Sequence, residues 1–214
     1  MPVWGEQKIT WRQVLPPVLA VVAVLCLALA LRNCIGGGRT GVSSSEQYEF
    51  YAAQLDSADA ASVAMAIKFL GNAGDKRAIE PVRAKLSHSD PRVVGAACGA
   101  LGKLGDAASA AKSMQLLGNE APDIVAGAVE GLGALAHKPA LDPLVKLLDT
   151  PDTAIRTAVF TSLGQLGDRA ALKALEPYDG DAASGLDPEP TPEEQTQLTQ
   201  ALSQALASLR SAQQ

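Results

Sequence analysis

The chain repeats itself at an interval of 31 residues. Written in rows of that length, the 214-residue sequence places a Leu-Gly pair in one column four times without a gap, at Leu70-Gly71, Leu101-Gly102, Leu132-Gly133 and Leu163-Gly164. A fixed period of this length is the sequence signature of stacked repeat units. The fold is therefore restricted to an array of similar units whose neighbours are adjacent in the chain.

Each row carries the pattern of two helices. Apolar residues precede the Leu column at helical spacing, and we expect each first helix to end at the glycine of the Leu-Gly pair, which can adopt the left-handed conformation of a C-cap. Aspartates recur at both helix starts and predict N-caps, at Asp59, Asp90 and Asp152 for the first helices and Asp75, Asp106 and Asp168 for the second. A hairpin this short cannot bury its apolar stripe alone, so the hairpins should stack on one continuous core.

Composition agrees with an all-α fold. Hydrophobic residues make up 47% of the chain but aromatic residues only 4%, which suits closely packed helices better than strands. Three cysteines and two histidines cannot form a disulfide framework or a Cys/His zinc site of the usual spacing. The predicted fold class is an all-α solenoid of about four helical hairpins, preceded by one transmembrane helix.

The repeats resemble a known family. DPRVVGAACGALGKLGD at Asp90 to Asp106 and TAIRTAVFTSLGQLGD at Thr153 to Asp168 are similar to the short HEAT-like repeats of phycocyanobilin lyases. The resemblance covers residues 57–178 and implies an α-solenoid without fixing a function. This sequence departs from the pattern in the third row, where Ala136 replaces the second glycine and His137 replaces the capping aspartate.

An apolar segment precedes the repeats. The 19 residues between Arg12 and Arg32 carry no charge, and Val14 to Leu31 is about long enough to span a hydrocarbon core as a helix. This predicts membrane attachment via Val14 to Leu31. The alternative is a cleaved signal peptide, because Ala28-Leu29-Ala30 resembles a small-x-small cleavage site.

Charge is distributed unevenly along the chain. Residues 1–39 hold four basic side chains and one acidic one, which leaves 14 basic and 22 acidic side chains in the remainder. A short N-terminal tail before a long acidic part favours a single-pass inner-membrane protein with the repeats outside the cytoplasm. The predicted segments are a tail at 1–13, a transmembrane helix at 14–33, a flexible tether at 34–45, the solenoid at 46–178, a linker at 179–191 and a C-terminal amphipathic helix at 192–211.

No constellation in the sequence indicates catalysis. His88 and His137 lack a nearby Cys, His or serine motif, and Cys98 occupies a column expected to be buried. The glycine pairs such as Gly71 and Gly74 lack the lysine and the preceding strand of a phosphate-binding loop. We therefore expect no enzyme activity, no cofactor and no metal, and the net charge of −5 argues against nucleic acid as a partner.

The remaining functional signal lies in the polar and charged residues that the period places on the protein surface. In solenoids of this kind the second helices line the concave side, and the period places mixed-charge and polar residues on their outward faces, at Glu80, Lys112, Gln115, Asp142, Lys146 and Lys173. These residues predict a membrane-tethered scaffold or assembly factor that binds a protein partner. Two alternatives stay open: a lyase-like subunit that handles a bilin or other prosthetic group, and a cleaved, soluble periplasmic binding protein.

Overall fold

The structure is a computed structural model that describes residues 44–212. From Glu46 onward the chain forms one compact unit. Residues 44–212 contain ten α-helices and no strand. In chain order the helices are α1 Ser44–Gln54, α2 Ala60–Ala73, α3 Ile79–Ala84, α4 Pro91–Lys103, α5 Ala110–Leu116, α6 Pro122–Ala134, α7 Leu141–Lys146, α8 Thr153–Leu166, α9 Arg169–Leu175 and α10 Pro192–Ser211.

The helices form two layers. The first helices of the repeats, α2, α4, α6 and α8, pack side by side in chain order, and α10 packs against α8 in the same layer. The second helices, α3, α5, α7 and α9, are shorter, are preceded or followed by single 3₁₀ turns, and contact one another much less. The all-α solenoid predicted from the period is confirmed.

Aspartate caps start most of the first helices as predicted. Asp59, Asp90 and Asp152 are extended N-cap residues whose carboxylates accept hydrogen bonds from backbone amides in the first turn of α2, α4 and α8. Ala121 occupies the same position before α6 and makes no side-chain cap. The first helix of the third repeat, α6, therefore starts with Pro122 but lacks the cap hydrogen bond that α2, α4 and α8 receive.

The glycine of the Leu-Gly pair does not end the first helix, contrary to the prediction. Gly71, Gly102, Gly133 and Gly164 all lie inside their helices. The left-handed residue comes three positions later, at Gly74, Gly105, Ala136 and Gly167. The Leu-Gly glycine instead permits close packing: a Cβ added to Gly102 would lie 2.4 Å from the backbone oxygen of Gly131. Small residues thus let neighbouring first helices approach backbone to backbone.

The second helices use their aspartates in two ways. Asp168 accepts a backbone hydrogen bond at the start of α9, as predicted, and Asp75 accepts one from Arg77 in the 3₁₀ turn that precedes α3. Asp106 does not cap its helix and is 6% exposed. Its carboxylate accepts two hydrogen bonds from the Arg83 guanidinium, at 2.8 Å and 3.2 Å. The capping prediction for Asp106 is wrong because a bidentate arginine from the preceding repeat competes for the carboxylate.

The apolar core is divided rather than continuous. One cluster joins α1 to α4, a second joins α5 to α10, and a small cluster around Val94, Cys98 and Ile124 lies between them. The division falls where α4 meets α6, and this contact is built from Gly95, Gly102, Gly127 and Gly131. Glycine contributes no side chain to a core, so the predicted single core is interrupted where the helices are closest.

The C-terminal segment folds back onto the last repeat. Thr191 and Glu194 form a capping box at the start of α10, and six apolar residues of that helix are buried, at Leu198, Ala201, Leu202, Ala205, Leu206 and Leu209. The Ser208 hydroxyl donates a hydrogen bond to the Gly164 backbone oxygen of α8. The segment between α9 and α10 is also anchored, because Arg156 donates to the Ser184 carbonyl and buries its own side chain.

The predicted transmembrane segment lies outside the described residues, as do the tail and most of the tether. Within residues 44–212 no helix has both the length and the apolar character needed to cross a membrane.

Candidate functional site

A groove runs along the outer surface of the first-helix layer. It has a volume of about 540 Å³ and is bounded by α2, α4 and α6. Between Arg92 and Lys103, the α4 residues that line the groove are small and almost fully buried, so α4 forms a low floor between larger side chains on the flanking helices. The floor consists of Gly95, Ala96, Gly99 and Ala100.

Gly99 occupies the centre of the groove floor. A Cβ added there would come no closer than 3.0 Å to any atom, and that nearest atom is the flexible carboxylate end of Glu130. Gly95 differs, because an added Cβ would lie 2.1 Å from the Asp123 backbone oxygen. Gly95 is therefore required by helix packing, whereas a side chain at Gly99 would first meet the movable carboxylate of Glu130.

The groove is polarised. Lys68, Arg92 and Lys103 supply positive charge from α2 and α4, whereas Asp123 and Glu130 supply negative charge from α6. Lys103 donates a hydrogen bond to the Asn72 side chain, and Arg92 forms an ion pair with Asp90. The arrangement can recognise a polypeptide segment that carries acidic groups toward α2 and basic groups toward α6.

The six residues predicted as a binding face lie on the opposite layer. They are exposed and belong to the second helices: Glu80 to α3, Lys112 and Gln115 to α5, Asp142 and Lys146 to α7, and Lys173 to α9. Glu80 forms an ion pair with Arg83 in the same helix. The structure places the six along one layer without bringing them into one pocket, and their role in binding stays a prediction.

The buried columns of the period gave no indication of the groove. The signal was nevertheless present in the period, since Lys68, Gly99 and Glu130 share one column on the outward face of successive first helices. A glycine between two long charged residues in such a column indicates a depression flanked by opposite charges.

An aromatic patch is exposed at the N-terminal end of the stack. The Tyr51 ring stacks on Phe69 at 4.5 Å and meets Phe50 edge to face at 5.2 Å. Phe50, Phe69 and the nearby Met65 are 59%, 46% and 60% exposed. These four residues are called the aromatic patch below.

The titratable groups of this region serve structural roles. Hydrogen bonding to Arg92 lowers the pKa of Asp90 to about 2, and burial raises the pKa of the Cys98 thiol to about 11, which makes it an inert side chain. The His88 imidazole accepts a hydrogen bond from the Asp90 amide. Within residues 44–212 no cluster of His, Cys, Asp and Glu could hold a metal ion.

Comparison with known proteins places the fold. HEAT repeats match residues 49–129 and 113–184, which together exceed half of the chain. No curated protein is significantly similar in sequence. Among solved structures, the complex of CpcE and CpcF of phycocyanin lyase from Nostoc sp. PCC7120 is similar with a TM-score of 0.53 and 22% identity. That similarity covers 77% of this chain and 66% of the lyase chain, so the chain spans just under two thirds of the length of that structure.

Two artificial proteins are also similar. An engineered protein has 17% identity and a TM-score of 0.49, covering 79% of this chain and 85% of its own. A designed armadillo repeat protein has 17% identity and a TM-score of 0.48, and the similarity covers 80% of this chain and 85% of the designed chain. The repeat match and the two-layered helical stack lead to one assignment: the chain belongs to the HEAT repeat family.

Proposed function

We propose that this protein is a membrane-tethered scaffold that binds a protein partner and has no catalytic activity of its own. The observation that carries the proposal is the polarised groove on the first-helix layer. A groove with a small-residue floor and opposite charges on its two sides suits an extended or helical polypeptide segment. Helical repeat proteins commonly bind partners on their extended concave surface, which makes the second-helix layer the surface to compare with the groove.

The proposed partner carries a segment with both acidic and basic side chains. Lys68 and Glu130 lie on opposite sides of Gly99, so a segment that crosses the floor meets positive charge on one side and negative charge on the other. The proposed face on the second helices, which includes Lys112 and Lys146, is the alternative surface. Both sets are exposed, so the two surfaces can be tested with matched substitutions.

The matched pair is Gly99→Leu and Gln115→Leu. Leucine at position 99 fills the groove, and the first atom that its Cβ meets is the movable end of Glu130 at 3.0 Å. Because Gly99 is buried, thermal unfolding of the variant must first show that it is folded. Leucine at position 115 adds the same side chain to an exposed site on α5. Co-purification of the partner from intact cells after crosslinking should be lost for Gly99→Leu and kept for Gln115→Leu. The reverse result would assign binding to the second helices.

The proposed tether is Val14 to Leu31, with the repeats outside the cytoplasm in an inner-membrane protein. The apolar length of this segment supports an anchor. Immunoblotting of membrane and soluble fractions should show the full-length chain in membranes after alkaline extraction. A shorter soluble species would instead support the cleaved periplasmic binding protein.

A lyase-like subunit is the second candidate. Its support is the similarity to the structure of phycocyanin lyase subunits, and at 22% identity that similarity concerns the fold alone. Purified protein incubated with a bilin should show no change in the absorption spectrum of the pigment. A stable shift of the bilin absorption band would favour the lyase-like alternative.

A further inference from the structure

The two ends of the repeat stack have different surfaces. At the C-terminal end, the outer face of α10 is polar and consists of Gln195, Thr196, Thr199, Gln200 and Ser203. At the N-terminal end, the aromatic patch leaves Phe50, Met65 and Phe69 exposed to solvent. Terminal units of a stacked repeat protein need a polar outer face to stay soluble. The N-terminal end therefore exposes an apolar cluster that the C-terminal end lacks, and such a cluster is a candidate contact surface.

The position of the patch in the chain indicates what covers it. The helix α1, which contributes Phe50 and Tyr51, begins at Ser44, and only residues 32–43 separate it from the apolar segment that ends at Leu31. Twelve residues span at most about 40 Å. If Val14 to Leu31 is anchored in the bilayer, the patch is held within reach of the membrane surface at a high effective concentration.

We propose that the aromatic patch inserts into the interfacial region of the same membrane that anchors the chain, so that the solenoid docks on the bilayer by its N-terminal end. This inference rests on the proposed membrane tether. Aromatic side chains favour the interfacial region of a bilayer, where their rings meet both headgroups and acyl chains. The exposed Lys68 lies beside Met65 and Phe69, and its stem can follow the apolar surface while its ammonium group stays among the headgroups.

The aromatic patch adjoins the groove. Met65 belongs to the patch and also lines the groove, and Lys68, which precedes Phe69 in the chain, lines the groove beside it. The bilayer therefore borders the groove at α2, whereas α6 lies two helices further along the stack. A partner segment bound in the groove would approach the membrane at its α2 side.

The test uses the full-length protein in vesicles of phosphatidylcholine with and without brominated acyl chains. Trp4 and Trp11 are replaced by phenylalanine, and a single reporter is introduced as Phe50→Trp, with Gln200→Trp on the outer face of α10 as the matched control. The Phe50→Trp variant should show a blue-shifted emission and lose intensity with brominated lipid. The Gln200→Trp variant should show neither change. A second reporter in the patch, Met65→Trp on α2, should show the same blue shift and the same loss of intensity with brominated lipid.

The outcomes separate the patch from the anchor. Alkaline extraction of the same vesicles reports whether the chain is anchored, and it does not depend on the reporter at position 50. A retained protein whose Phe50→Trp emission is unshifted and unquenched would overturn membrane docking and favour an apolar protein surface as the cover. Quenching of Phe50→Trp with the protein removed by alkali would support docking while overturning the anchor.

Discussion

Ala136 adopts a left-handed backbone conformation, and glycine occupies the equivalent position in the other three repeats. Its φ is +48°, whereas Gly74, Gly105 and Gly167 lie at +70°, +72° and +66°. The left-handed region costs an L-residue about 1–2 kcal/mol. The third repeat therefore keeps the geometry of its turn despite the unfavourable residue, because the hydrogen bonds of Ala136 and His137 to the preceding helix still form.

The substitution Ala136→Gly should stabilise the protein. Relief of the left-handed strain is partly offset by the greater chain entropy of glycine in the unfolded state, which leaves a gain of about 0.5–1 kcal/mol. Urea unfolding would measure the change. The matched control is Gly167→Ala, which has no atom within 4 Å of the added Cβ and should lose stability through backbone strain alone. Equal stability of Ala136→Gly and the parent protein would contradict the assigned turn geometry.

Asp90 predicts a specific acid dependence. Its pKa is lowered from 3.8 to about 2, chiefly by hydrogen bonding from the Arg92 side chain and also by the Arg92 backbone amide. Because the folded pKa lies below the unfolded one, the ionised carboxylate adds stability above pH 3.8, and this contribution is lost as the pH falls through about 2. The stability difference between the parent and Asp90→Asn, measured by urea unfolding, should therefore shrink between these pH values. A difference that is constant with pH would contradict the assigned ion pair.

Among the elements, the contact between α4 and α6 depends most on residue size. A Cβ added to Gly127 would lie 2.0 Å from the Gly95 backbone oxygen, so Gly127→Ala must push two helices apart. We expect a loss of about 1–3 kcal/mol despite the higher helix propensity of alanine. Gly118→Ala is the matched control, because its added Cβ meets nothing within 4 Å. Similar thermal stabilities for the two variants would contradict the close backbone contact.

The period was sufficient to predict the helices and their buried columns. Leu70, Leu101, Leu132 and Leu163 are all buried, as the helical spacing indicated. The role of the adjacent glycine was mistaken because the sequence shows only that a side chain is absent, and both a left-handed turn and a close helix contact require that absence. Asp106 was assigned as a cap for a similar reason, since its partner Arg83 lies 23 residues away and shares no local signal with it.

At the scale of the whole molecule, the stack has two layers with different surfaces and two ends with different polarity. The sequence predicted the repeat array and marked the second helices as charged. The column of Lys68, Gly99 and Glu130 carried a signal for a depression, but the groove forms only when three first helices stand side by side with the small residues of α4 between the larger ones. The proposed scaffold function depends on that juxtaposition and on the apolar segment that precedes the repeats.

The most direct test of the central claim is site-specific photocrosslinking in intact cells. A photoreactive amino acid is placed at Lys68 or Glu130 on the groove, and at Lys146 or Lys173 on the second helices, all of which are exposed. Membrane-fraction immunoblots should show one and the same crosslinked protein from both groove positions and no such product from the second-helix positions. Crosslinks from Lys146 and Lys173 with none from Lys68 and Glu130 would contradict the groove as the partner-binding surface.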